Sequence, residues 1–183
     1  MNFTTRGQAR EVLEFWRAAG ADKWFVKDAQ FDAQFRDGFL DLHFAVARRE
    51  KEDWLAEPDS ALALVLLLDQ FPRNVFRGTA HMFATDPLAL YYTRQAIEAG
   101  FMTRIDEELR LFLCVPFIHS EALADQVEGV ELYRQYAPQG LSFAIEHHEI
   151  IERFGRFPHR NPSLGRQTTA EEQAFLDEGG FAG

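Results

Sequence analysis

The sequence predicts an all-α fold of seven or eight helices, and three observations support this prediction. Apolar residues recur with helical spacing along most of the chain. Capping residues, prolines and glycines divide that pattern into segments of ordinary helix length. No sustained alternation of apolar and polar residues, which is typical of strands, interrupts it. At 183 residues, the chain is expected to form a single all-helical domain over residues 1–183.

The first three helices are predicted from their apolar stripes and their end signals. The first has the stripe Ala9, Val12, Leu13 and Trp16, with Gly20 as its stop. Asp28 can cap the second, whose stripe is Phe31, Phe35, Phe39, Leu42 and Val46. Pro58 suits the first turn of the third, in which Ala61–Leu68 is apolar on every side. A helix without a polar face belongs at the centre of the fold.

The remaining helices follow the same logic. Asp86-Pro87 opens a fourth helix that runs to Gly100, and Asp106 begins a fifth that Pro116 is expected to kink or end. The sixth is marked by Leu123, Val127 and Val130. The seventh follows Pro138, with a stripe of Leu141, Ala144, Ile145, His148 and Ile151. Thr169–Glu172 has the form of a capping box and begins a last helix that ends near Glu178.

Composition excludes several classes of function. The chain has 29 acidic and 19 basic residues, a net charge of −10, so no nucleic-acid partner is expected. Its single cysteine, Cys114, excludes an intrachain disulfide and a multi-cysteine zinc site, and its apolar surroundings predict an inert thiol. The apolar runs Ala61–Leu68 and Leu111–Ile118 are too short to span a membrane, and no targeting signal opens the chain. We expect a cytoplasmic protein with no membrane partner, cofactor or metal.

A polar segment follows the third helix and is echoed near the end of the chain. Asp69, Gln70, Arg73 and Asn74 stand in the first segment, and Phe71-Pro72-Arg73-Asn74 resembles the later run 157–161. Because proline disfavours a helical conformation in the residue before it, both segments are expected to be extended exits from a helix. Two interpretations remain open: arginines that hold an anion beside Asp69 as proton acceptor, or internal pairing that serves only the fold.

Histidines and a basic cluster add further candidates. His119 and Glu121 follow Pro116 and suit proton transfer, or alternatively a cap on freed carbonyls and an ion pair. His147 and His148 lack metal-ligand spacing and are interpreted as core or rim histidines. The cluster Arg153, Arg156, Arg160 and Arg166 predicts either an anionic ligand or pairing with the excess carboxylates. The chain has no phosphate-binding loop, no dinucleotide fingerprint and no nucleophile elbow.

Three segments together resemble a known bacterial family. Residues 67–78, 116–121 and 153–166 are similar to the family called domain of unknown function 924, as are Val12–Trp16 and Trp24-Phe25. The resemblance runs from about residue 11 to residue 176. It implies an antiparallel helical array similar to tetratricopeptide superhelices, and it implies no established reaction. It also suggests that the polar residues of the three segments converge at one site.

That site is predicted with the following roles. Catalytic candidates are His119, Glu121 and Asp69, and ligand-binding candidates are Gln70, Arg73, Asn74, Arg156, His159, Arg160 and Asn161. The segments 71–74 and 157–161 are expected to lie side by side, with an acid, a carbonyl cage or an anion between their arginines, and Asp69 and Glu121 are the candidate acids. One hypothesis is a pocket for a small phosphorylated or carboxylated molecule, with acid–base chemistry as an open possibility. The alternative is a tetratricopeptide-like scaffold for a protein partner, in which the motif residues are purely structural.

Overall fold

The computed structural model describes residues 3–183 and is built from helices. Eight of its ten α-helices have eight residues or more, and no strand occurs within that range, which confirms the predicted fold class. The helices are α1 (Phe3–Ala19), α2 (Ala21–Trp24), α3 (Ala29–Ala47), α4 (Pro58–Leu68), α5 (Gln70–Val75), α6 (Asp86–Glu98), α7 (Leu111–Ile118), α8 (Leu123–Tyr136), α9 (Leu141–Phe154) and α10 (Ala170–Asp177). Short 3₁₀ turns connect several of them.

Helix α4 lies at the centre of the fold, as its sequence predicts. Every residue of Leu62–Leu68 is at most 1% exposed. The helix packs against α1, α3, α6 and α7, so apolar neighbours surround it on all sides. Helix α4 is apolar on every side. Its burial at the centre of the fold therefore removes all of this apolar surface from water, which stabilises the folded state.

The predicted caps form as expected. The Asp28 side chain accepts hydrogen bonds from the backbone N–H groups of Gln30 and Phe31 at the start of α3. Thr169 and Glu172 make a reciprocal capping box at the start of α10. Gly20 separates α1 from α2 with a φ of 76°, a conformation that side chains with a Cβ rarely adopt. These short-range signals were readable in the sequence because each involves residues no more than three positions apart.

The fifth predicted helix begins later than expected and continues through its proline. Residues Glu107–Leu109 form a 3₁₀ turn, and α7 starts at Leu111 and ends at Ile118, so the prediction of a helix that begins at Asp106 is wrong; of the two effects expected of Pro116, a kink or an end, the end does not occur. Pro116 removes one backbone donor, but it stands in the last turn, where the helix ends two residues later. Burial of residues 112–118 offsets the lost hydrogen bond.

The first of the two similar Phe-Pro segments is helical, which corrects the expectation of an extended exit. Phe71 to Asn74 lie inside α5, where Pro72 occupies the first turn and needs no backbone donor. Phe157 does adopt an extended conformation, with φ −88° and ψ 111°, before the 3₁₀ turn Pro158–Arg160. A similar sequence therefore has two backbone conformations, because α5 packs against α3 and α4 while the later turn packs against α10.

The buried face of α9 is rotated from the predicted stripe. His147 and Ile150 are buried with Ala144 and Ile151, whereas Ile145 is exposed and His148 is half-buried. The rotation follows from the packing of α9 against both α7 and α8, which the helical period alone does not specify. Ile150, Ile151 and Phe157 form a small second cluster with Phe154, Phe175 and Phe181, and this cluster holds the turn Pro158–Arg160 in place. No helix within the described residues is long and apolar enough to cross a membrane.

Candidate functional site

Five charged or titratable side chains meet where α4 ends, and we call them the polar cluster: Asp69, Arg73, Asp86, His119 and Arg160. They come from the end of α4, from α5, from the start of α6, from the residue after α7 and from the turn after α9. Contacts between residues as far apart in sequence as Asp86 and Arg160 join them. The polar cluster thus unites parts of all three sequence motifs.

Asp69 is the most enclosed member of the polar cluster, at 1% exposure. Its Oδ1 lies 2.7 Å from Nδ1 of His119 and 3.2 Å from Nη1 of Arg73, and Gln70 Nε2 donates to its Oδ2 at 2.6 Å. Burial by itself raises the pKa of this carboxyl, but Arg73 and His119 outweigh burial and hold the pKa below its usual value. Asp69 is therefore an ionised acceptor, despite its burial.

The Asp69 carboxylate fixes the orientation and the tautomer of the His119 ring. An ionised carboxylate can only accept a hydrogen bond, so Nδ1 of His119 carries the proton that it donates to Asp69. Burial, followed by the positive charge of Arg73, lowers the pKa of His119. The ring is therefore neutral near pH 7 and carries its lone pair on Nε2, the arrangement that a general base requires.

Asp86 is the acid that lies between the two arginines of the Phe-Pro segments. Arg73 donates to both oxygens of Asp86, at 2.7 and 2.9 Å, and Nη1 of Arg160 lies 3.4 Å from Oδ2. The segments are thus adjacent, as predicted, but neither Asp69 nor Glu121 stands between their arginines. Sequence reasoning missed Asp86 because it assigned this residue to the opening of α6; the structure places it in the first turn of that helix, directly after Thr85.

Arg160 has few hydrogen bonds for a buried guanidinium. It is 6% exposed and lies between the rings of Phe83 and Phe157, with its Cζ 4.6 and 4.4 Å from their centroids. Its contact with Asp86 is long, and Nε is buried without a partner among the described residues. Burial lowers the pKa of Arg160 to about 10, and the nearby Arg73 acts in the same direction. An arginine has five N–H donors, and among the described residues Asp86 is the one hydrogen-bond acceptor of Arg160.

Unsatisfied groups concentrate around Arg160. Within residues 3–183, nine buried side-chain nitrogen or oxygen atoms have no hydrogen-bond partner, and four of them belong to residues 159–166. The four atoms are Nδ1 of His159, Nε of Arg160, Oδ1 of Asn161 and Nε of Arg166. Buried polar groups in folded proteins are normally hydrogen-bonded, so a local concentration of exceptions calls for an explanation.

Glu121 is paired elsewhere. Its two oxygens accept from Arg166 at 2.7 and 2.9 Å, and one of them also accepts the backbone N–H of Phe157 at 2.8 Å. Arg166 and the Phe157 N–H group lower the pKa of Glu121 against the effect of burial. Glu121 therefore holds the extended exit at Phe157, and Arg166 engages both of its carboxylate oxygens.

The other predicted ligand-binding residues lie apart from the polar cluster or at its edge. Arg156 makes a bidentate ion pair with Glu172, at 2.5 and 2.8 Å, and the side-chain amide of Asn161 donates to the same carboxylate at 3.3 Å. Asn74 is buried in α5, and its Nδ2 has no partner among the described residues. Arg156 and Asn161 therefore anchor α10, and the structure does not bring them together with Asp69 and His119.

Two further histidines border Arg160. His147, which is buried on α9, donates from Nδ1 to the Phe143 carbonyl at 2.8 Å, and its ring centroid is 6.3 Å from that of His119. Burial lowers the pKa values of His147 and His159 to about 3, and the charge of Arg160 contributes to both shifts. Phe181 packs on both rings. These neutral histidines add polar atoms beside Arg160 without adding positive charge.

Nearby nucleophile candidates are engaged or inert. Ser120 donates its hydroxyl proton to Asp125, at 2.5 Å, and accepts the N–H of Ala122. Burial raises the pKa of the Cys114 thiol to about 12, as expected for an unreactive core cysteine. No group of three or more potential metal ligands occurs in the described part of the chain.

Two surface clefts lie away from the polar cluster. One of about 620 Å³ is lined by Arg17, Pro58 and Arg104 among others, near the opposite end of α4. A second, of about 360 Å³, runs between α8 and α9. Neither is lined by a member of the polar cluster, in which His119 and Asp86 keep partial exposure.

Comparison with known proteins identifies relatives without a described activity. A family model described as a bacterial protein of unknown function, DUF924, matches residues 12–180. A solved structure of a protein of unknown function, ATU0120 from Agrobacterium tumefaciens, shares 52% sequence identity. That match covers 96% of this chain and 99% of the other, with a TM-score of 0.93. No curated protein matches the chain significantly.

Proposed function

This chain belongs to the bacterial protein family DUF924, and from that premise we propose that it binds a small carboxylated or phosphorylated molecule through Arg160, with His119 placed to transfer a proton. The family description includes no reaction, so the proposal depends on the site itself. Its main support is the buried and under-bonded guanidinium of Arg160.

The cost of burying Arg160 favours a ligand. A buried charged group that lacks hydrogen bonds is destabilising, since it has left water without full compensation. The rings of Phe83 and Phe157 fix the plane of the guanidinium and leave the edge that includes Nε without a protein partner among the described residues. A carboxylate or phosphate matches such an edge with two parallel hydrogen bonds.

The charge balance of the polar cluster agrees with an anion of low charge. Arg73 and Arg160 are matched by the carboxylates of Asp69 and Asp86. The polar cluster therefore offers the ligand hydrogen-bond donors but no net positive charge. This arrangement favours recognition of a specific small molecule over general attraction to polyanions, in accordance with the net charge of −10.

His119 supplies the acid–base part of the proposal. Asp69 orients its ring and fixes the proton on Nδ1, which leaves Nε2 as the atom that would accept a proton from the bound ligand or from water. Asp69 thus acts through His119 as a positioning residue. Ser120 and Cys114 are not available as nucleophiles, so proton transfer is the chemistry that the polar cluster supports best.

The test is thermal unfolding across an anion panel at constant ionic strength. Phosphate, sulfate and small carboxylates replace chloride, and the wild type is compared with Arg160→Ala and Arg160→Met, of which the latter keeps a stem between the two rings. A ligand at a hundred times its Kd adds about 2.7 kcal/mol, and each kcal/mol raises Tm by roughly 2–4 °C at this chain length. We expect at least one anion to raise the wild-type Tm by several degrees and to lose this effect in both variants.

The control is Arg153→Ala, which removes an exposed arginine paired with Glu171. It should keep the full anion response, whereas the Tm shift that remains in the Arg160 variants measures the general stabilisation that sulfate and phosphate give to proteins. Without ligand, Arg160→Met should unfold at the wild-type temperature or above it, because it removes an unfavourable buried charge. Equal anion responses in wild type and in both Arg160 variants would refute the binding site.

A further inference from the structure

An apolar groove lies along the outer seam between α8 and α9, about 360 Å³ in volume. We call it the α8–α9 seam and define it by its lining residues, which are Val127, Val130 and Glu131 on α8 and Ile145, His148, Glu149 and Glu152 on α9. On each helix these residues follow the spacing of one face. The seam is thus a continuous feature of the helix pair and not a gap between loops.

Two of the three apolar residues that line the seam are exposed, and the third, Val130, is half-buried. Val127 is 51% exposed and Ile145 is 39% exposed, and both are β-branched side chains that normally pack inside a fold. Leu123, one turn before Val127 on α8, is also exposed and extends the apolar stripe. Scattered exposed apolar residues are ordinary, but a row of them along a groove is typical of an interaction surface.

The charges around the seam have one sign. Glu131, Glu149 and Glu152 line it, and no lysine or arginine does. Glu131 pairs with Arg134 on its own helix, whereas no ion pair engages Glu149 or Glu152 within the described residues. A groove with an apolar floor and free carboxylates on its rim complements a partner with the opposite pattern, an apolar stripe flanked by basic residues.

We propose that the α8–α9 seam binds a basic amphipathic helix of a partner protein. The partner would place apolar residues at i, i+3 or i+4, and i+7 against Val127 and Ile145, and its lysines or arginines against Glu149 and Glu152. Helix α8 has 14 residues and is therefore about 21 Å long, which matches a partner helix of similar length. A second copy of this chain is a poor occupant, because a symmetric contact would bring the same carboxylates together.

The experiment uses a fluorescent helical peptide of about 15 residues, long enough to cover the seam. One face carries leucines at i, i+3, i+4 and i+7, and the other carries arginine and lysine. Fluorescence anisotropy measures its Kd for the wild-type protein, together with that of a peptide with glutamate at every basic position and of a scrambled peptide. We expect only the basic amphipathic peptide to bind, and we expect its affinity to fall as salt is raised.

Variants locate the binding surface. Val127→Ser with Ile145→Ser should weaken the peptide about tenfold or more, equivalent to about 1.4 kcal/mol. Glu149→Gln with Glu152→Gln should weaken it several-fold and reduce the salt dependence. The matched control, Glu107→Gln with Glu108→Gln, removes two exposed carboxylates elsewhere and should leave the Kd unchanged.

Three outcomes would overturn the proposal. The seam variants could leave peptide affinity unchanged, or the acidic and scrambled peptides could bind as well as the basic one. Alternatively, analytical ultracentrifugation could find a dimer of the wild type that Val127→Ser with Ile145→Ser dissociates, which would identify a second copy as the occupant. None of these readouts involves Arg160, so their result is independent of the anion site.

Discussion

Two buried charges in the polar cluster differ in how well they are satisfied. Asp69 accepts hydrogen bonds from His119 and Gln70 and lies beside Arg73, so its negative charge is fully compensated. Arg160 has one long contact with Asp86 and a buried Nε without a partner in the described chain. The first residue therefore supports the fold, and the second carries an unfavourable energy that a ligand can relieve.

Replacement of Asp69 by alanine should strongly destabilise the protein. The change leaves Arg73 with one carboxylate instead of two and leaves Nδ1 of His119 without its acceptor, at a position where Asp69 itself is buried. Loss of one partner from a buried charge pair costs about 3–5 kcal/mol, and urea unfolding should measure a decrease of that size.

The matched control for this change is Asp37→Ala. Asp37 pairs with Arg36 at an exposed position, where ion pairs contribute little. Its unfolding curve should coincide with that of the wild type. An Asp69→Ala protein that also unfolds like the wild type would indicate that the contacts of Asp69 do not stabilise the folded state.

At the level of helices, α7 and α8 approach each other so closely that position 129 of α8 has little room for a side chain. Gly129 lies in the middle of α8, where glycine is unfavourable for a helix. A Cβ at this position would lie 2.9 Å from Cγ2 of Ile118 and 3.0 Å from Cβ of Phe117. The glycine therefore lets α8 pack closely on α7, and so helps to hold the end of α7 from which His119 projects.

Gly129→Ala should consequently destabilise the protein, although alanine is the better helix former. Gly38→Ala is the control, because Gly38 also lies within a helix, α3, but has nothing within 4 Å of the added methyl group. Alanine at position 38 should stabilise by up to about 1 kcal/mol, through helix propensity alone. Differential scanning calorimetry should thus give shifts of opposite sign, and two upward shifts would mean that α7 and α8 are not tightly packed at Gly129.

Across the whole molecule, buried histidines couple folding to pH. Burial lowers the pKa of His43 to about 4, and it lowers the pKa values of His147 and His159 to about 3. His43 donates to the Leu67 carbonyl at 2.8 Å, and its Nε2 lies 3.0 Å from Nε2 of His81. These rings stay neutral in the folded state at a pH where the unfolded chain would protonate them.

Stability should therefore fall as pH decreases below about 6.5, the ordinary histidine pKa. The unfolded state then binds protons that the folded state does not, and each such histidine contributes a slope of up to about 1.4 kcal/mol per pH unit. Urea unfolding at intervals between pH 7 and pH 5 measures this slope. The variant His147→Phe keeps a ring against Phe157 and Phe181. It should reduce the slope of stability against pH by up to about 1.4 kcal/mol per pH unit, which corresponds to one proton. An unfolding free energy that stays constant over this range would contradict the prediction.

Most of the helices and several of their ends could be predicted because their causes are local. The apolar faces of α1 and α3, the cap at Asp28 and the capping box at Thr169 each depend on residues within one or two turns of each other. The central position of α4 followed from its composition alone, because a helix that is apolar on every side has only one stable environment.

The rotation of α9 and the conformations of the two Phe-Pro segments required the tertiary structure. Whether His147 or His148 faces the core depends on two neighbouring helices, and the same Phe-Pro pattern is helical at Phe71 and extended at Phe157. Neither difference has a local signal, since packing with α3 and α4 in one case and with α10 in the other selects the backbone.

The sequence by itself determined the all-helical class, the central helix and a set of candidate residues that includes four of the five members of the polar cluster. Only the tertiary structure divided that set, placing Asp69, Arg73, His119 and Arg160 together and pairing Glu121 with Arg166. The same structure placed Asp86 between the two arginines. The physical reason is that helix formation depends on neighbours a few residues away, whereas the pairing of buried charges depends on which side chains the folded core brings within hydrogen-bond distance.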